Sequence, residues 1–261
     1  MNVPEHNTNN IDLSGIKVRF SQRGKGKSLL LLHGGEGSFE DKNFFDLLSR
    51  HFNVIAPTHP GFGGTLIPDH FDHIDDLVFL YLDFLDHLDL QEVVLIGFSL
   101  GGWIAAEIAI RNDSRLSQLI LVDAVGVKVG GREERDIADV FALSYEPLID
   151  LTFHNTSLAP SLETISEEEL QIIAANRTAL GVYTWEPYMH NPKLARRLHR
   201  IKVQTDFIWG RSDRIVSIDY GKIYCSMIKN AKMTILENAG HLPHFEIPDV
   251  FVDTVFNMVK K

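Results

Sequence analysis

The amino-acid sequence predicts an α/β domain built on a doubly wound, mostly parallel sheet, with a helical cap inserted into it. Three observations carry this reading. Short unbroken apolar runs bounded by turn residues recur along the chain, as strands covered on both faces do. Helix-period segments separate them, and that alternation with short glycine-bearing connections places helices on both faces of a parallel sheet. The alternation breaks once, over residues 128–200, and then resumes.

Taken in order, Met1 to Asp12 reads as a polar, Asn-rich arm with no apolar stretch, which argues against a secretory signal. Ile16-Lys17-Val18-Arg19-Phe20 alternates with period two, as a half-buried strand does, and Gly24 and Gly26 mark a turn. Ser28–Leu32 is the first fully apolar run. Val54–Ala56, Val93–Ile96, Leu119–Val122, Thr205–Trp209 and Met233–Leu236 repeat it. Between them lie helical periods at Phe44, Phe45, Leu47 and Leu48, then at Leu77, Leu80, Tyr81, Phe84, Leu85 and Leu88, then at Ile104, Ala105, Ile108 and Ala109. Inside the break, Ser166 followed by Glu167, Glu168 and Glu169 reads as an N-cap with an acidic first turn, leading into Leu170, Ile172, Ile173 and Ala174. The expected organisation is therefore core over 1–127, cap over 128–200 and core again over 201–261.

Composition narrows the function classes. The 261 residues are 44% hydrophobic and 23% charged, an ordinary globular balance. Lys+Arg total 25 against Asp+Glu 35, a formal net charge of -10, which does not favour nucleic acid or an anionic membrane surface as a partner. No run of about 18 apolar residues predicts a transmembrane helix. The single cysteine, Cys225, has no partner for an intramolecular disulfide and is expected to be a buried small apolar residue. A cytoplasmic enzyme or binding protein acting on a small molecule fits these bounds, and no feature predicts an oligomer interface.

The most informative peptide is Gly97-Phe98-Ser99-Leu100-Gly101-Gly102, directly after the Val93–Ile96 strand and before an Ala-rich helix. It matches the G-x-S-x-G elbow, in which a tight strand-to-helix turn exposes a strained serine and leaves no space for neighbouring side chains. A serine hydroxyl is a weak nucleophile at neutral pH, so it needs a general base, and the base needs an acid to hold its tautomer. In this arrangement they follow in the order Ser, Asp, His. Asp213, in Trp209-Gly210-Arg211-Ser212-Asp213-Arg214, and His241, in Ala239-Gly240-His241-Leu242-Pro243-His244, each follow a strand in that order. The duller alternatives are a turn-forming Asp and a loop His.

Acyl transfer also needs two N–H donors for the developing oxyanion, and the elbow supplies one, at Leu100. The loop His33-Gly34-Gly35-Glu36-Gly37 offers the second, at Gly35. A phosphate-cradle reading of those glycines fails, since the loop lacks a Gly-Lys-Ser/Thr ending and G-x-G-x-x-G spacing. The pairs His70/His73 and His241/His244 do not form an H-E-x-x-H helix and read as solvated loop residues. No metal and no organic cofactor is implied.

Taken together, His33-Gly34-Gly35, Pro60-Gly61-Phe62-Gly63, the elbow around Ser99, Asp213 in its Gly-Arg-Ser-Asp-Arg turn and Ala239-Gly240-His241 make the chain resemble the α/β-hydrolase family from about Ile16 to Lys260. The resemblance implies Ser99 as nucleophile, His241 as general base and then acid, Asp213 as orienting carboxylate, and Gly35 with Leu100 as oxyanion hole. Serine at position 99 disfavours the subfamilies that use an Asp nucleophile. Asp123, after Leu119–Val122, is a competing triad acid, because some members place the acid there.

In this family the cap shapes the pocket. Here it offers Phe141, Leu148, Leu151, Phe153, Leu180, Val182, Tyr183, Trp185, Tyr188 and Met189, most of them expected to pack the cap, with Arg177 as its notable charge. Phe98, Arg177, Trp185 and Leu242 are the candidate substrate contacts. Three functions follow. One is a carboxylic ester, lactone or thioester hydrolase for an apolar or aromatic substrate. Another is a carbon–carbon hydrolase like those acting on meta-ring-fission diketo acids, which share the cap and an HGG-type loop but usually carry Asn before the serine and Trp after the histidine, where this chain has Phe98 and Leu242. The last is a ligand-binding protein with little turnover. The acid limb of activity is expected near the ordinary imidazole pKa of about 6.5 unless the site shifts it.

Overall fold

The computed structural model describes residues 7–39, 42–131 and 133–260. Its first half runs β1 (Asn7–Leu13), β2 (Ile16–Arg23), β3 (Ser28–Leu32), α1 (Lys42–Ser49), β4 (Asn53–Pro57), α2 (Ile74–His87), β5 (Val93–Phe98), α3 (Leu100–Arg111) and β6 (Leu116–Val122). Two cap helices follow, α4 (Tyr145–Thr152) and α5 (Glu167–Thr184). The chain ends with β7 (Gln204–Gly210), α6 (Ile218–Ser226), β8 (Lys232–Leu236), α7 (Pro243–Glu246) and α8 (Pro248–Val259).

The eight strands form one sheet in the order β1-β2-β4-β3-β5-β6-β7-β8. Pairing is antiparallel at β1/β2 and β2/β4 and parallel from β4 through β8. The central strands read as unbroken apolar runs because both faces are covered. Leu30 and Leu32 of β3 join a core with α2, α3 and α6, while Leu29 and Leu31 point the other way, into a core with α1 and α8. All four leucines are fully buried.

One expectation is corrected at the N-terminus. Residues 7–12 of the expected polar arm belong, with Leu13, to the strand β1, paired with β2; residues 1–6 lie outside the described residues. Thr8, Asn10 and Asp12 are exposed, whereas Ile11 and Leu13 turn toward the core. An edge strand needs only one apolar face, so two residues suffice and the rest stays polar. Cys225 is likewise half-buried rather than buried.

The helical pieces of the cap fall between β6 and β7. Ser166 starts α5 with a capping box: its hydroxyl accepts from the Glu169 backbone N–H at 3.2 Å, and the Glu169 carboxylate accepts from the Ser166 N–H at 2.8 Å. Asn176, buried on α5, ties the cap to two core loops. Its Oδ1 accepts from the Gly63 N–H at 2.8 Å and its Nδ2 donates to the Glu36 carbonyl at 2.7 Å.

Candidate active site

Ser99 stands between β5 and α3 with φ 48° and ψ −109°, a left-handed conformation that costs a non-glycine residue about 1–3 kcal/mol. Backbone bonds hold it there: its N–H donates to Val122 O at 2.9 Å, and its carbonyl accepts from Gly102, Trp103 and Val125 at 3.0–3.2 Å. Its hydroxyl does not cap α3 and opens instead on a cavity. The flanking glycines permit the close backbone approach. A Cβ on Gly97 would lie 2.3 Å from the Gly101 carbonyl oxygen, and one on Gly101 would lie 2.0 Å from that of Leu32.

His241 reaches the same cavity from the loop after β8. Its backbone N–H donates to the Thr152 carbonyl of the cap at 2.6 Å, and its Nδ1 donates to Asp213 Oδ2 at 2.8 Å. The other Asp213 oxygen accepts from the Ile215 and Val216 N–H groups at 2.9 and 3.0 Å, which fixes the carboxylate plane. With its proton on Nδ1, the imidazole presents a basic Nε2. Burial opposes the charged imidazolium, but the Asp213 carboxylate and its hydrogen bond, with the Glu36 carboxylate, raise the pKa of His241 above its ordinary value.

Asp123, the competing acid, lies buried beside Asp213 and does not hold His241. Its Oδ1 accepts from Gly210 N–H at 2.9 Å while Oδ2 has no hydrogen-bond partner among the described residues. Burial first, then the neighbouring Asp213 charge, raises its pKa well above the carboxylate range.

A cavity of about 550 Å³ brings together Ser99, His241, Gly35, Arg177 and Leu242. Val140, Leu148, Ile173, Leu180 and Met189 of the cap segment supply much of its apolar wall. A Cβ on Gly35 would meet Leu180 Cδ2 at 2.8 Å, a contact that the flexible Leu180 side chain can relieve. Leu100, at the first residue of α3, buries its side chain in the core, so its contribution to an oxyanion hole is through its backbone N–H.

Two expected substrate contacts are corrected. Trp185 is 59% exposed and lies outside the cavity, edge-on to Phe141 at 5.6 Å, because it follows the end of α5, where the chain turns away. Phe98 points to the opposite face of the sheet, packed against Phe39, Phe44, His244 and Phe251. Alternation along β5 sends that side chain into the core with α1 and α8.

His244 is not a solvated loop residue. It lies within that aromatic cluster, and burial, with the nearby His241, lowers its pKa to about 3. His73 caps α2, accepting from the Asp75 N–H at 3.2 Å.

Several residues of the site escaped sequence reasoning. His33 and His59 interlock the loops after β3 and β4. His33 Nε2 accepts from the His59 N–H at 3.0 Å and its Nδ1 donates to Gly34 O at 2.7 Å, while His59 Nε2 donates to His33 O at 2.9 Å and its Nδ1 accepts from Tyr81. Each ring thus uses one donor and one acceptor, the neutral form. Burial accordingly lowers His33 to about 4 and His59 well below its ordinary value. Glu36 is the other: it lines the cavity, and its Oε1 accepts from the Gly34 N–H at 3.1 Å. The signal available was a lone acid inside a glycine loop.

Comparison with known proteins agrees with the fold. The model of the alpha/beta hydrolase family matches residues 29–254. The chain is 21% identical to a 2-hydroxy-6-oxo-6-(2'-aminophenyl)hexa-2,4-dienoic acid hydrolase of Metapseudomonas resinovorans, over 96% of this chain and 90% of that one. It is 26% identical to a 2-hydroxy-6-oxo-6-phenylhexa-2,4-dienoate hydrolase of Comamonas testosteroni, over 92% and 90%. Among solved structures, a bacterial membrane phospholipase A superposes with a TM-score of 0.82 at 21% identity, over 98% of this chain and 86% of that one. Among the described residues, no helix is long and apolar enough to cross a membrane.

Proposed function

The chain belongs to the alpha/beta hydrolase family, and from that premise we propose that it is a serine hydrolase cleaving a carboxylic ester, lactone or thioester of a small to medium apolar or aromatic substrate through an acyl-enzyme at Ser99. The observation that carries this reading is the apolar cavity of about 550 Å³ that has both Ser99 and the Asp213-held His241 in its lining.

In this reading His241 Nε2 takes the Ser99 proton as Oγ bonds to the acyl carbon, and the carbonyl oxygen gains the negative charge before the Gly35 and Leu100 N–H groups. Collapse of that adduct breaks the bond to the leaving alkoxide or thiolate, which takes the proton from His241. A water molecule then gives its proton to His241 and its oxygen to the acyl carbon. Ser99 departs with the proton, leaving the product acid. Asp213 stabilises the imidazolium in both halves.

A second reading, hydrolysis of a carbon–carbon bond in a diketo acid, draws support from the names of the two curated relatives. Phe98 and Leu242 stand where those enzymes usually carry Asn and Trp. The Arg177 Nη2, a candidate carboxylate ligand, already donates to the carbonyls of Val140, Phe141 and Leu143 at 2.8, 3.0 and 3.3 Å.

Initial rates on p-nitrophenyl esters of increasing acyl length and on a dienoic ring-fission ketone, for wild type and Ser99→Ala, test both readings. Ester turnover that is lost in Ser99→Ala supports the first. Slow esters with a fast Ser99-dependent ketone would replace it with the second, and turnover of neither would favour a ligand-binding protein. Full activity of Ser99→Ala would sink the mechanism, because such a unit acts together.

A further inference from the structure

We propose that Glu36 is a specificity-determining residue: its carboxylate, standing in the cavity beside the oxyanion loop, makes the site select uncharged acyl groups over acyl groups that carry a carboxylate. This rests on the serine-hydrolase reading of the site and names the charge class of its substrate.

Four observations meet here. Glu36 is pinned at both ends: its Oε1 accepts from the Gly34 N–H at 3.1 Å and its backbone carbonyl accepts from Asn176 at 2.7 Å. It is the one carboxylate among the described residues that line the cavity, and it is exposed there. The cation of the same wall, Arg177, aims Nη2 at three cap carbonyls and stacks its guanidinium 5.8 Å above the Phe141 ring, so it is committed to the cap. The other titratable groups on the wall offer no compensating charge. Tyr145 of α4 donates to the Pro160 carbonyl, His244 of α7 is neutral, and His241 already faces Asp213.

An anionic acyl chain entering beside this carboxylate meets a like charge on an otherwise apolar wall, and because Glu36 is exposed the repulsion is strongest at low ionic strength. Two unit charges about 12 Å apart at an effective dielectric of about 20 repel enough for about a tenfold discrimination, and nearer groups for more. The same carboxylate favours protonated His241.

The test compares p-nitrophenyl hexanoate with the p-nitrophenyl monoester of adipic acid, equal in acyl length and differing by one charge, in wild type and Glu36→Gln. The amide retains an acceptor for the Gly34 N–H. Wild type is expected to prefer the hexanoate by about tenfold or more in kcat/KM. Glu36→Gln should cut that preference at least about fivefold and move the acid limb of the pH–rate profile to lower pH, since His241 loses an ion that stabilises its charged form. A separate readout avoids chemistry: binding of hexanamide and adipamate to Ser99→Ala and to Ser99→Ala/Glu36→Gln. Preference for the neutral amide that disappears with Glu36→Gln supports the proposal even if neither ester is hydrolysed, an outcome that would defeat the ester reading alone. Ester turnover with a charge preference that Glu36→Gln leaves unchanged would overturn the role of Glu36 and leave the ester reading standing. Equal binding of the two amides by Ser99→Ala would overturn it too.

Discussion

Replacing Asp213 by Asn separates the two carboxylates at this site. The side chains are nearly isosteric, and the Asn oxygen can still accept from the Ile215 and Val216 N–H groups now bonded at 2.9 and 3.0 Å. What changes is the group facing His241 Nδ1 at 2.8 Å. The carboxylate charge is lost, and at an effective dielectric of about 20 an imidazolium and a carboxylate about 4 Å apart interact by about 4 kcal/mol, or about a thousandfold in rate. The amide would also donate to Nδ1, forcing the imidazole proton onto Nε2, where it blocks removal of the Ser99 proton. The same change in a serine protease triad costs about 10⁴. Asp213→Asn should therefore lower kcat/KM by about 10³ to 10⁴ and shift any residual acid limb downward, because His241 loses the partner that raises its pKa.

Asp123→Asn is the control. Burial raises the pKa of that carboxyl well above the carboxylate range, and Asn can accept from Gly210 N–H as Asp123 does at 2.9 Å, so the loss should stay below about tenfold. The assay is kcat/KM on the best ester of the panel, with the rate of Ser99 phosphonylation by a fluorophosphonate as a substrate-independent readout. Retention of a tenth of the activity in Asp213→Asn, or an equal loss in Asp123→Asn, would refute the assignment.

Two further outcomes concern stability. His244 has a folded pKa of about 3 against about 6.5 unfolded, so its contribution is complete above pH 6.5 and drains away as pH falls toward 3. His244→Phe, which suits the ring cluster and removes the unpartnered Nδ1, should reduce the loss of unfolding free energy between pH 7.5 and pH 5 by about 2 kcal/mol. Urea titrations at both pH values showing an unchanged difference would contradict this. Gly101→Ala drives a Cβ to 2.0 Å from Leu32 O and 2.6 Å from His33 O, both backbone, and should cost more than about 3 kcal/mol. A melting temperature within about 2 °C of wild type would show that α3 can slide off the end of β3.

The parts of the molecule legible in the sequence are those where a local pattern is forced by the environment. Leu29 to Leu32 read as a strand because both faces are covered, and Ser99, Asp213 and His241 read as chemistry because each follows a strand in a glycine-bearing turn. β1 escaped because Ile11 and Leu13 are all its core side requires. Trp185 and Phe98 were misplaced for a different reason: composition nominates a large side chain for a pocket, but only the end of α5 and the alternation of β5 decide where it points. Glu36 and the His33–His59 interlock depend on loops 26 residues apart meeting in space, or on a side chain folding back over its own loop, and no periodicity encodes either.

The two hydrogen bonds of Asn176 bear on how such a protein can diversify. One amide on the cap grips the loop that carries Gly35 and the loop after β4. The segment that lines the pocket is thereby latched to the loop that carries the proposed oxyanion donor Gly35, and exchanging caps between relatives would not be a modular operation. A graft without an amide at this point would leave the Gly63 N–H and the Glu36 carbonyl seeking new partners. Its substrate range and its turnover would change together, so that a new pocket is inherited with a retuned reaction centre.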